Sequence, residues 1–196
     1  MGYDILIAGV GGQGTILASR LLANAAMVAG RFVRTGETIG MAQRGGSVIS
    51  HVRIDSREVS PYIPLGGADL LISFEYAEAA RNCNRLKPDG RMLVNTQRVY
   101  PTTVTSGGAV YDEEKMAPYM DGALMIDGYG LAQQAGSVKS VNVVLLGAAL
   151  GAELLPFTKD DIREAIRQSV REAFWELNFN ALEMGCEYAR KAAKNL

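Results

Sequence analysis

Residues 9–14 read GVGGQG, directly after the apolar run Ile5-Leu6-Ile7-Ala8. Gly9, Gly11 and Gly14 fit the spacing GxGxxG. In such a loop the first glycine permits a tight turn and the second lets a ligand approach the backbone. The third lets the following helix pack on the strand. The free N–H groups at the helix start then favour an anion. A second cluster, MAQRGGSV at residues 41–48, offers different chemistry. Arg44 supplies a fork of donors, Gly45 and Gly46 free the backbone to turn its N–H groups inward, and Ser47 adds a hydroxyl. Together they could hold a phosphate or a carboxylate. The competing reading is a hairpin entry whose arginine pairs with a surface acid.

Other chemistries are excluded or bland. There is no GK[ST] after the first loop, so it is not a P-loop. A dinucleotide reading wants an acid about 20 residues on, and Glu37 sits near that place. It also wants a crossover helix and a third parallel strand, where this chain gives glycines and an alternating stretch. His51 is the only histidine, which rules out a multi-histidine metal site. It reads as a polar-side strand residue. Ser50 and Asp55 make no triad with it, because neighbours on a strand point to alternate faces. The two cysteines, Cys83 and Cys186, match no metal or iron–sulfur spacing and read as buried or partly buried free thiols. DGYG at 127–130 lacks the preceding glycine of a thiamine motif, and Asn142 stands alone. No catalytic set and no metal site is complete within the chain.

The elements that must position these loops follow from periodicity. Residues 3–10 read as a buried parallel strand. Residues 13–29 turn helical, with Leu17, Leu21, Ala25 and Val28 on one face and Gly30 as a stop. Residues 31–35 suggest a second strand, and 36–47 a glycine-rich loop. Residues 47–54 alternate as a strand, with 57–62 as a candidate partner. Further strands are expected at 69–74, 91–95 and 123–127. Helices are expected at 75–86, near 113–119, at 130–135 and at 142–154. Another begins at Thr158, whose spacing to Asp161 makes a capping box, and the last covers 174–194. The expected fold class is α/β: a Rossmann-like, mostly parallel sheet flanked by helices, with a helical C-terminal segment. No linker or internal repeat divides the 196 residues, so a single domain over 1–196 is expected.

The formal net charge is −1, with no block of like sign, so nothing recruits nucleic acid or an anionic membrane. No apolar run is long enough to span a bilayer. The N-terminus enters a strand without the basic start of a signal peptide. A cytoplasmic location is expected.

Three stretches, IAGVGGQGTILASRLLANAA, GETIGMAQRGGSVISHVRI and NVVLLGAAL, resemble the gamma-type subunits of the 2-oxoacid:ferredoxin oxidoreductases. SPYIPLGGADLLISFEYAEAAR and NTQRVYPTTV resemble the branch holding the beta subunits of indolepyruvate:ferredoxin oxidoreductase. The resemblance covers nearly the whole chain. It implies a non-cluster subunit of an oxidoreductase, inactive alone, within a complex that oxidatively decarboxylates a 2-oxoacid of the aryl-pyruvate type. The product is an acyl-CoA and ferredoxin accepts the electrons. Thiamine diphosphate and iron–sulfur clusters would lie in a larger partner subunit, and coenzyme A is a candidate contact of this one. The resemblance carries over Gly9, Gly11, Gly12, Gln13 and Gly14 as one binding loop. Gln43, Arg44, Gly45, Gly46 and Ser47 form the other. The alternatives left open are a stand-alone dinucleotide-binding Rossmann domain and a scaffold whose loops serve only packing.

Overall fold

The computed structural model describes residues 2–40, 45–55 and 60–193. Six strands form one sheet: β1 (Tyr3–Val10), β2 (Val33–Ile39), β3 (Ser47–Ile54), β4 (Ala68–Ser73), β5 (Leu86–Asn95) and β6 (Leu124–Ile126). Their order is β2-β3-β1-β4-β5-β6. The pairs β1–β4, β4–β5 and β5–β6 are parallel, whereas β3 runs antiparallel to both β1 and β2. The mostly parallel Rossmann-like sheet is therefore present, with a hairpin on one flank. β1 is buried from Asp4 to Val10, as a central parallel strand covered on both faces must be.

The hairpin is where the structure departs from the expected elements. The second strand continues through GETI, residues expected in a loop, because Val33 to Ile39 pair residue by residue with Ile54 to Val48. Ladder hydrogen bonds outweigh the weak strand preference of its glycine. The expected strand over 57–62 lies partly outside the described residues. Its described part, residues 60–62, is irregular, and β3 takes its partners from β1 and β2 instead. β5 starts at Leu86, earlier than expected, with a register shift against β4 between Ala68 and Leu70.

Helices cover both faces. Alternation along the strands sends Ile5, Ile7, Val52, Ile54, Leu70, Ile72 and Leu93 to one side. There they meet α1 (Thr15–Val28), α6 (Val141–Gly151), α7 (Lys159–Ser169) and α8 (Trp175–Ala193). Leu6, Ala8 and Leu71 point the other way, onto Ile63 and Ala68. On that side α2 (Tyr76–Asn82) packs Tyr76 and Ala79 against Val94 and Met120. The short helices α3 (Thr102–Thr105) and α4 (Glu113–Met116) precede β6, and α5 (Gly128–Gln134) follows it. Each fully buried aliphatic side chain contributes about 1.5–3 kcal/mol, so the larger cluster dominates the stability.

α6 and α8 touch backbone to backbone. A Cβ on Gly147 would lie 2.1 Å from the Leu182 carbonyl oxygen, and one on Gly151 2.2 Å from that of Cys186. On α8, a Cβ on Gly185 would lie 2.0 Å from the Val144 oxygen. Only glycine permits this approach. It fixes α6, whose first turn reaches the glycine loop. At Thr158 the capping box is complete, with the Thr158 hydroxyl bonded to the Asp161 amide and the Asp161 carboxylate accepting from the Thr158 N–H.

Candidate functional site

The first glycine loop closes on itself before it could meet any ligand. The Gln13 side chain spans the turn: its Oε1 accepts from the Val10 N–H at 2.9 Å, and its Nε2 donates to the Phe74 carbonyl at 3.1 Å. Gln13 is thus a strut between β1 and the end of β4. Gly9 is a packing residue, because a Cβ there would meet Thr15 Cγ2 at 2.7 Å. The Gly11 N–H donates to the Gly46 carbonyl at 2.9 Å, which ties the two glycine loops together. Gly12 and Gly14 hold φ of 100° and 84°, a region other residues seldom adopt. Gly14 is the N-cap of α1 and offers no side-chain cap, and no acid lies in the first turn. The N–H groups of that turn therefore stay open to an external acceptor.

Of the second loop, Gln43 and Arg44 lie outside the described residues. Gly45 has φ of 71° with open space beside it, and Gly46 contributes its carbonyl to the tie just described. The Ser47 hydroxyl does not face a ligand; it donates to Glu78 Oε2 at 2.6 Å. Glu78 is 3% exposed on α2 and also pairs with Arg81 at 2.7 Å. Burial pushes its carboxyl above the ordinary range, while Ser47 and Arg81 pull it back down. The neighbouring Glu75 caps α2 by accepting from the Glu78 N–H and receives the Tyr111 hydroxyl at 2.6 Å.

A cleft of about 320 Å³ opens beside the first loop. It is lined by Gly12, Gln13, Gly14 and Leu17, by Gln97 beyond β5, by Tyr129 on α5, and by Val138, Lys139, Val141 and Asn142 where α6 begins. It lies at the carboxyl ends of the parallel strands, beside the point where the chain leaves β1 for one flank and returns for the other. Ligands of open α/β sheets bind at such places. Lys139, Asn142, Gln97 and Tyr129 were invisible to spacing, since they approach from elements over eighty residues away. Asn142 had one legible signal, a lone amide in the otherwise apolar VNVVLLGAAL.

Other sequence expectations resolve plainly. His51 is not on a solvated face. It is 2% exposed, and its Nδ1 accepts from the Ile63 N–H at 3.1 Å. Burial, aided by Arg85 and Arg53, lowers its pKa to about 4. Glu37 lies on β2, separated from β1 by β3, so it stands about 10 Å from the glycine-loop strand. A Rossmann dinucleotide site wants its acid on the strand next to β1. Glu37 accepts instead from the Ser19 hydroxyl on α1. Two cysteines in the whole sequence cannot supply the four thiolates of an iron–sulfur cluster. Among the described residues no cluster of three metal-ligating side chains forms, and no helix is long and apolar enough to cross a membrane.

A three-layer α/β sheet with a flanking hairpin, two tied glycine loops and a C-terminal helix pair defines a Rossmann-like domain. Residues 4–188 match the family described as pyruvate ferredoxin/flavodoxin oxidoreductase, and the chain belongs to that family. It is 41% identical to the indolepyruvate oxidoreductase subunit IorB of Archaeoglobus fulgidus, over 96% of each chain. With the IorB subunit of Thermococcus kodakarensis the identity is 40%, again over 96% of each. Among solved structures, the gamma subunit of a keto/oxoacid ferredoxin oxidoreductase from Geobacter sulfurreducens superposes with a TM-score of 0.70. That pair shares 27% identity over 96% of this chain and 99% of the other. A 2-oxoglutarate:ferredoxin oxidoreductase from Magnetococcus marinus, solved with 2-oxoglutarate, coenzyme A and succinyl-CoA bound, gives 0.73 at 25% identity. It covers 97% of this chain but 31% of that longer one.

Proposed function

We infer that this chain is the small subunit of a 2-oxoacid:ferredoxin oxidoreductase of the indolepyruvate type. The complex decarboxylates an aryl 2-oxoacid oxidatively, forms an acyl-CoA and passes electrons to ferredoxin. Thiamine diphosphate and the iron–sulfur clusters are held by a larger catalytic subunit in the cytoplasm, and this chain docks on it. The open N–H groups at the start of α1, together with Arg44 of the second loop, are assigned to a phosphate-bearing ligand at the rim of the partner's active site. Coenzyme A, which the Magnetococcus enzyme binds, is the candidate.

The observation behind this reading is the Gly11–Gly46 tie, which joins the second loop to the first, and the first loop lines an open cleft at the carboxyl edge of the sheet. The test is co-expression with the larger subunit and ferredoxin-coupled turnover of indolepyruvate. Arg44→Ala lowers turnover and raises the KM for coenzyme A, while the isolated chain keeps its fold by circular dichroism. Unchanged turnover and KM would remove the anion role of the second loop. Keto-acid oxidation by the small subunit alone would sink the assignment.

A further inference from the structure

The two edges of the sheet are finished differently. β6 is three residues long, and its Met125 carbonyl already accepts from the Tyr188 hydroxyl of α8 at 3.3 Å. β2, at the other edge, runs seven residues, VRTGETI, with neither proline nor lysine and an unbroken register against β3. Proline, lysine and bulges are the devices that keep an edge strand from pairing with another chain. β2 carries none of them.

The alternation of the ladder fixes which backbone groups are open. At one end of β2 the Gly40 N–H donates to the Ser47 carbonyl, and at the other the Asp55 N–H donates to the Phe32 carbonyl. Bonded pairs alternate along an antiparallel ladder, so Arg34, Gly36 and Thr38 between those ends bond to β3. Val33, Thr35, Glu37 and Ile39 turn their N–H and C=O groups outward, and among the described residues nothing meets them there.

Two copies of β2, antiparallel about a two-fold axis through Gly36, would pair all of these groups. Val33 then faces Ile39 of the second copy, and Thr35 faces Glu37 of the second copy. Each pairing occurs twice, which gives about eight backbone hydrogen bonds. The facing side chains suit one another. Ile39, 59% exposed in the single chain, covers Val33. Glu37 meets a hydroxyl, and Arg34 on the opposite face meets Thr38, so no like charges oppose each other. Gly36 sits on the axis beneath the ring of Tyr62, where a Cβ would lie 3.2 Å from Tyr62 Cε1. That ring is 49% exposed. The axis brings both copies of it to the centre of the contact, where aromatic side chains contribute most.

We propose that this chain forms a two-fold dimer by antiparallel pairing of β2 with β2 of a second copy, which joins the two sheets into one. The pairing is independent of the reaction assigned to the complex.

The test is analytical ultracentrifugation of the full chain, alone and co-expressed with its larger subunit, with amide hydrogen exchange read along β2. Two copies of this chain per particle are expected. Exchange slows with rising protein concentration at Val33, Thr35, Glu37 and Ile39, while Gly36 and Thr38 are protected at every concentration. Thr35→Glu sets a carboxylate against Glu37 of the second copy, twice per dimer, and weakens the dimer about threefold or more. Thr35→Lys sets an ammonium there and tightens it by about the same factor. Exchanging the two residues, Thr35→Glu with Glu37→Thr, restores the pairing and the affinity. Thr35 is exposed, so thermal unfolding of the variants stays near wild type; if Thr35→Glu does not fold, Thr35→Lys carries the test. A single copy per particle at every concentration, alone and in the complex, overturns the proposal. A dimer whose affinity neither Thr35 variant changes overturns it too, because its interface then lies elsewhere. Protection of the four outward amides only on adding the larger subunit, with one copy of this chain per particle, gives the edge to that subunit and overturns the dimer.

Discussion

Gly185→Ala tests the geometry that holds the site together. The added methyl would start 2.0 Å from the Val144 oxygen and 2.9 Å from the Ala148 nitrogen. Both are backbone atoms of α6, so no flexible side chain can swing aside. Ordinary contact requires about 3.5–4.0 Å, so α8 must retreat by over an ångström. Retreat opens gaps along the seam where Gly147 and Gly151 also touch α8 backbone. Overpacking of this kind costs about 3 kcal/mol, and the better helix propensity of alanine returns about 1 kcal/mol. The net loss is about 2 kcal/mol, which for a chain of this size lowers Tm by about 4–8 °C. Thermal unfolding followed by circular dichroism reads the effect. A Tm unchanged or raised would mean that α6 and α8 are not in backbone contact, and the account of how α6 is placed would fail.

Two other outcomes follow from side-chain chemistry. Gln13→Ala strands the buried Val10 N–H, while the Phe74 carbonyl keeps Asn95 Nδ2 at 3.0 Å. The expected loss is about 1–3 kcal/mol in urea unfolding, and an unmoved midpoint would mean that Gln13 is free to meet a ligand. His51 binds its proton near pH 6.5 when unfolded but only near pH 4 when folded. The unfolded chain therefore takes up more protons between those values, and stability falls as pH drops through that window, by up to about 3 kcal/mol. His51→Asn, which keeps an acceptor for the Ile63 N–H, removes that slope relative to wild type. Equal slopes in the two proteins would show that His51 is solvated.

Much of the architecture was legible along the chain. The apolar run before GVGGQG, the Leu17–Leu21–Ala25 stripe and the Thr158–Asp161 spacing are local patterns. Local patterns of period and capping report local structure. Both glycine clusters were visible because left-handed and close-packed backbone positions demand glycine itself, as Gly12, Gly14 and Gly45 show.

What each residue does at those clusters was decided only by tertiary contacts. Gln13 and Ser47 looked like ligand donors, yet their partners are Phe74 and Glu78, 61 and 31 residues away. Asn142 looked solitary until α8 pressed α6 against the loop. The sequence by itself determined where glycines must be and which faces must be buried, because those depend on backbone sterics and on period. Which N–H groups stay unpaired and which acceptors they lack depends on elements distant in the chain, and only the folded packing brings those together.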